Sequence, residues 1–190
     1  MIKNHKIDFD KLKTPPDLLD FMDDNIKYGF VNKNGKKYFE QNEEWSRDWY
    51  NECIVQSGEG LLQTNCGTCW DQVELARKWF SEHGYKFKTI FMWFGIQEPS
   101  DYPTHTFLAF NKDNKWYWFE HSFEAYKGIF EFSSLAILID DVKSKLFKFA
   151  IDSGVATGKD ESLIKSYEYK KPERNLGVND YLNHILIKER

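Results

Sequence analysis

Between Tyr85 and Phe123 the chain carries three runs dense in aromatic and β-branched residues, YKFKTIFMWF, THTFLAF and KWYWFEHSF, separated only by the turn-rich pieces EPSDYP and NKDN. Such residues suit a pleated, half-buried surface, and links this short join antiparallel strands, because a parallel crossover needs about a dozen residues or more. A meander of three strands must bury at least one face. The segment just before it offers the cover: NCGTCWDQVELARKWF reads as a helix capped at Thr68, with Asp71 completing a capping box and Gly84 ending it. Cys69 then falls on the first helical residue.

The rest of the chain fits the same plan. TPPDLLDFMDDNIKYG has a threonine cap, prolines in the first turn and Leu18, Leu19, Met22 and Ile26 at helical spacing, with a glycine to stop it. VNKNGKKYF carries an Asn-Gly turn between extended pieces. EEWSRDWYNECIV reads as a second helix with Trp45, Trp49 and Cys53 on one face, and SGEGLLQTN as a glycine-containing loop. After the meander, SSLAILIDDVKSKLFKF is a serine-capped helix, GVATGKDES a polar loop, LIKSYEYKK an edge strand and NDYLNHILIKE a closing helix. Helices, then strands, then helices predict an α+β fold rather than a wound parallel sheet. No repeat or low-complexity linker divides the 190 residues, and a 41% hydrophobic, 17% aromatic chain supplies one real core, so residues 1–190 are read as a single domain.

Charge narrows the partners. The net charge is −4 and the 26 basic residues are scattered, which leaves no electrostatic footprint for a nucleic acid. The charged opening stretch MIKNHKIDFDKLKTPP lacks an apolar h-region, and no run approaches the ~18 apolar residues of a membrane span. The expectation is a cytoplasmic protein with no membrane partner. In a reducing compartment Cys53, Cys66 and Cys69 are free thiols unless they bind metal or react.

The CGTC pair admits three jobs. A redox couple belongs on the strand-to-helix turn of a βαβ unit, which the surrounding pattern does not provide. Zinc needs four ligands, and neither a second paired motif nor a His-x-x-x-His partner accompanies the cysteines. A nucleophile fits better, since the unpaired N–H groups and dipole at a helix start favour a thiolate at Cys69. It needs a base and a group to orient that base. A turn centred on Lys112 and Asp113 would pair Asn111 with Asn114, Phe110 with Lys115 and His105 with Glu120. His105 and Glu120 would then share the face that meets the N-terminal end of the Cys69 helix, with His121 on the other face beside Tyr117 and Phe119. Each residue alone also suits a structural role: Cys69 as buried filler, His105 and Glu120 as a cross-strand salt bridge. The conjunction is what points to catalysis. Cys66 and Cys53 are read as structural or incidental.

These residues carry a resemblance. QTNCGTCW, from Gln63 to Trp70, resembles the papain-type stretch Q-x-x-C-G-S-C-W, departing from its Cys-Gly-[Ser/Ala]-Cys-[Trp/Tyr] signature only at Thr68, while Gly67 to Trp70 are equally similar to the G-Q-C-W of transglutaminases. Papain-like enzymes place their histidine ~130 residues or more downstream, whereas His105 and Glu120 follow Cys69 closely. That compact order resembles the transglutaminase-like core, shared with arylamine N-acetyltransferases and bacterial transglutaminase-like peptidases, over a catalytic core of about residues 60–125. The resemblance implies Cys69 as nucleophile, His105 as general base and acid, and Glu120 where aspartate is usual. It also implies Gln63 as an oxyanion donor alongside the Cys69 N–H. The arginine- and glycine-rich lead-in of the acetyltransferases is absent, which argues against acetyl-coenzyme A. The expectation is a papain-like, transglutaminase-like thiol enzyme with a Cys-His-Glu triad, acting without cofactor or metal on a peptide, protein or small amide. A catalytically silent binding module of the same fold and a CxxC redox protein are the alternatives.

Overall fold

A computed structural model of the chain describes residues 9–39, 43–94, 103–154, 156, 161–172 and 175–186. In chain order they form α1 (Pro15–Asn25), the short strands β1 (Lys27–Tyr28), β2 (Phe30–Val31) and β3 (Lys37–Tyr38), α2 (Glu43–Glu52), β4 (Ile54–Val55), α3 (Gly58–Thr64), β5 (Cys66–Gly67) and α4 (Cys69–Glu82). The long strands β6 (Lys86–Phe94), β7 (His105–Lys112), β8 (Lys115–Glu120) and β9 (Gly128–Phe132) follow, then α5 (Leu135–Asp152), β10 (Ile164–Glu168), β11 (Leu176–Gly177) and α6 (Val178–Leu186). The fold is α+β: six helices among the described residues surround a five-stranded antiparallel sheet ordered β10-β6-β7-β8-β9. None of these helices is long and apolar enough to cross a membrane.

The sheet is buried on both faces. Successive strand residues point to opposite sides, so Phe91, Leu108, Phe110 and Phe119 meet Val73, Ala76, Trp79 and Phe80 of α4 in one cluster. Ile90, Met92, Phe107, Ala109 and Trp118 meet Leu138, Val142, Leu146 and Ala150 of α5 in the other. The α5 residues recur every fourth position, which gathers them into one stripe along the helix.

Three local features differ from the sequence reading. SGEGLLQTN is helical over Gly58–Thr64, not a loop: Ser57 Oγ accepts the Gly60 N–H at 3.2 Å, and the glycine that lowers helix propensity at residue 58 lets α3 approach α4 closely. A Cβ there would stand 3.0 Å from the Glu74 carbonyl oxygen. GIFEF, unassigned in the sequence reading, forms β9 at the sheet edge beside β8. The third difference is the hairpin register. Asp113 and Asn114 both take positive φ, 52° and 61°, which makes them the two loop residues of a tight turn; Asp and Asn tolerate that region where Lys112 would not. Lys112 therefore pairs with Lys115, Asn111 with Trp116 and Leu108 with Phe119, two residues off the expected partners. The EPSDYP turn apart from Pro103, most of the GVATGKDES loop and the last residues of the expected closing helix lie outside the described residues.

Gly67, within the CGTC stretch, sits where a Cβ would stand 2.6 Å from Asp71 Cβ and 2.7 Å from Leu61 Cδ1. Gly67→Ala is expected to cost about 1–3 kcal/mol, the usual penalty of overpacking, read as a lower midpoint in urea denaturation. An unchanged midpoint would mean that α3 and α4 can part to admit a methyl group.

Candidate active site

The site begins with how α4 starts. Thr68 is extended, and the chain turns helical at Cys69. Asp71 Oδ2 accepts the Thr68 N–H at 2.7 Å and its hydroxyl at 2.9 Å, while Oδ1 accepts the Gln56 N–H at 2.6 Å. Burial pushes the Asp71 carboxyl up to about 6 against these hydrogen bonds. The amide of Gln56 donates to the Cys66 carbonyl at 2.8 Å, and that of Gln72 to the Gly67 carbonyl at 2.9 Å. Every residue of the CGTC stretch is thereby held by side chains from outside or by the helix that follows it.

His105 opens β7 and Glu120 closes β8, so both stand at one end of the sheet. His105 Nε2 lies 2.7 Å from Glu120 Oε2, and both side chains are buried. The corrected register sets Glu120 diagonal to His105 rather than opposite it. Diagonal neighbours on one face lie about 7–8 Å apart, and the extra methylene of glutamate helps to span that gap. Because the slip is by two residues, the two side chains keep the same face. Glu120 Oε2 also accepts Trp118 Nε1–H at 3.1 Å, and Oε1 accepts the Ser122 hydroxyl at 2.9 Å and the Phe123 N–H at 2.8 Å. Burial alone would raise the Glu120 carboxyl; the His105 charge and these bonds hold it below the usual carboxylate range. Burial works against a charged His105 too, yet the Glu120 charge and hydrogen bonds with Cys69 and Glu120 lift it well above its ordinary value. With Nε2 taken by Glu120, Nδ1 is the nitrogen left for the Cys69 sulfur.

The expected placement of faces is partly reversed. The body of α4 covers the face of Leu108, Phe110 and Phe119, whereas His105 lies on the α5 side, with its ring 5.9 Å from that of Phe107. Cys69, as the first residue of α4, meets His105 only at the strand end. His121 does lie on the face opposite Glu120, but that face is the one α4 covers: Gln72 Oε1 accepts the His121 Nδ1–H at 2.6 Å, and His121 Nε2 is 3.1 Å from Asp23 Oδ1. Burial depresses the His121 pKa against the pull of Asp23.

Cys69 and His105 open onto a cavity of about 740 Å³, whose walls include Tyr28, Gln72, His121 and Phe123. Although Tyr28 is 40% exposed as a whole, desolvation at its hydroxyl, then the Cys69, Asp71 and Glu120 charges, push that hydroxyl well above the usual tyrosine range, so it remains a donor. Gln63 is not brought to this group. It is exposed on α3 and does not line the cavity, because the helix ends at Thr64 and the chain then pairs with β1 before reaching Cys69. The other two thiols face elsewhere: Cys66 donates to the Phe30 carbonyl at 3.7 Å, and Cys53 is buried just beyond α2, bridged to Asn32. Among the described residues no three His, Cys, Asp or Glu side chains gather as a metal site would require.

Sequence reasoning missed Tyr28 and Gln72. Gln72 was findable, since it lies one turn after Cys69 on the same helix face; Tyr28 reaches the site through the parallel β1–β5 pair, which leaves no local signal. No family model matches the chain, and no curated protein matches it significantly.

The shifts at His105 and Glu120 set a pH window. The stability that His105 contributes is complete below about pH 6.5, its ordinary value, and is lost as pH rises through the raised one. That of Glu120 is complete above about pH 4.5 and is lost as pH falls through its lowered value. In urea melts, the deficit of Glu120→Gln relative to the parent should be largest between these two values and shrink toward alkaline pH. A deficit independent of pH would mean that His105 is uncharged in the folded protein.

Proposed function

We propose that this chain is a thiol enzyme acting on amide or acyl substrates, with a papain-like, transglutaminase-like core and a Cys69–His105–Glu120 triad. The observation that carries the reading is His105, buried against Glu120 and lining the same large cavity as Cys69, which stands at a helix start. Glu120 fixes the imidazole and stabilises its cation, and that cation stabilises a Cys69 thiolate. The thiolate attacks the carbonyl carbon and the C=O pair moves onto oxygen. The Cys69 N–H, which as the first in its helix has no intrahelical acceptor, and the Tyr28 hydroxyl are the donors for that oxyanion. His105 passes its proton to the leaving amine, a thioester forms, and water or a second amine resolves it. Gln63 has no part in this scheme. Substrates of this class are peptides, proteins or small amides.

Two measurements test it. Low-dose iodoacetamide near neutral pH should label Cys69 alone, because burial pushes Cys66 up to about 11 and Cys53 higher still. His105→Ala should lower any acyl-transfer rate about 10²–10⁴-fold, the range for a positioned general base. Labelling of Cys66 and Cys69 together, with loss of both thiols on mild oxidation, would favour the redox alternative. A Cys69 as unreactive as the other two would favour a silent binding module.

A further inference from the structure

The cavity at Cys69 is walled on one side by a run of rings and branched side chains. Phe123 packs edge-on against His105 at 5.2 Å, and Phe149 of α5 packs edge-on against Phe123 at 5.5 Å. Ile26 and Leu146, both core residues, complete this wall. Phe149 and Tyr28 are also the two cavity residues among the exposed large hydrophobics, at 46% and 40%. Large apolar side chains left half in water beside a reactive thiol are surface that a ligand would cover.

Among the described residues, the cationic side chains on the cavity wall already face carboxylates. Lys127, which lines the cavity, is 2.9 Å from Asp23 Oδ1 and 2.9 Å from Glu124 Oε2. His121 faces Gln72 and Asp23. His105 is held by Glu120. A substrate carboxylate would find the Lys127 ammonium already paired with two carboxylates, and a desolvated anion without a counter-charge binds poorly.

From this wall and these pairings, and resting on the thiol-enzyme reading above, we propose that the site takes an uncharged acyl group with a bulky aromatic or branched substituent. That substituent lies against Phe123 and Phe149, and the carbonyl meets Cys69. The acylation step releases the leaving group with the proton held by His105, and the Cys69–acyl thioester is the product.

The test uses the full chain and three 4-nitrophenyl esters, of acetic, phenylacetic and succinic acid, with each rate divided by that ester's rate with a free thiol in solution. The phenylacetyl ester should acylate Cys69 at least about tenfold faster than the acetyl ester, a modest return for a filled apolar pocket, and the succinyl ester should be slowest. Phe149→Ala should reduce the phenylacetyl-to-acetyl ratio several-fold, and Phe149→Lys should raise the relative rate of the succinyl ester. Ile137→Ala, which removes an exposed apolar residue of α5 outside the cavity, should leave the ratios unchanged. Equal corrected rates, a preference for succinyl, or no acylation by any ester of a Cys69 that iodoacetamide labels would each overturn the proposal. Failure of iodoacetamide to label Cys69 would instead overturn the thiol-enzyme reading on which it rests.

Discussion

A carboxylate is kept charged inside this protein, and the end of the sheet is arranged around that fact. Glu120 is 2% exposed, and removing such a group from water costs several kcal/mol. Four donors offset the cost: the His105 ring, the Trp118 indole, the Ser122 hydroxyl and the Phe123 N–H. Hydrogen bonds to a charged group contribute about 1.5–3 kcal/mol each. They come from β7, from β8 and from the turn that leaves β8. Each of these elements is therefore fixed to the others by the same group that orients the histidine.

A second buried carboxylate does the corresponding work on the thiol side. Asp71 ties Thr68 and Gln56 to the first turn of α4, and Gln56 and Gln72 take the carbonyls of Cys66 and Gly67. The thiol and the imidazole thus belong to two separately braced structures, one built on a helix start and one on strand ends. They share one cavity wall because the hairpin ends where α4 begins. The two cores on either side of the sheet hold that alignment.

Much of this was legible in the sequence, and the reasons for the misses are physical. The capped helix at Cys69, the antiparallel meander and the flanking helices α1, α2, α5 and α6 followed from period and punctuation alone. The His105–Glu120 pair was reached through a register two residues wrong. It survived because strand side chains repeat every two residues, so an even slip preserves the face. The turn itself was readable, since Asp113 and Asn114 suit positive φ better than Lys112 does. The helix at Gly58–Thr64 was hidden by its glycines, and the role of Gly58, close contact with α4, depends on packing that sequence does not display. For the same reason Gln63 looked available to the thiol and is instead exposed.

The diagonal relation of His105 and Glu120 ties the choice of acid to the geometry of the hairpin. Moving along a strand while staying on one face changes position in steps of two residues, about 7 Å. Lengthening a side chain by one methylene adds far less. The first is a coarse adjustment set by the turn and the second a fine one set by the residue, and the two have to agree. At a position directly across from the histidine, aspartate has the natural reach; at this diagonal, glutamate does. The choice of acid is therefore a record of where the hairpin turns. A hairpin with its loop one residue earlier would set position 120 directly across from His105 and call for the shorter acid there.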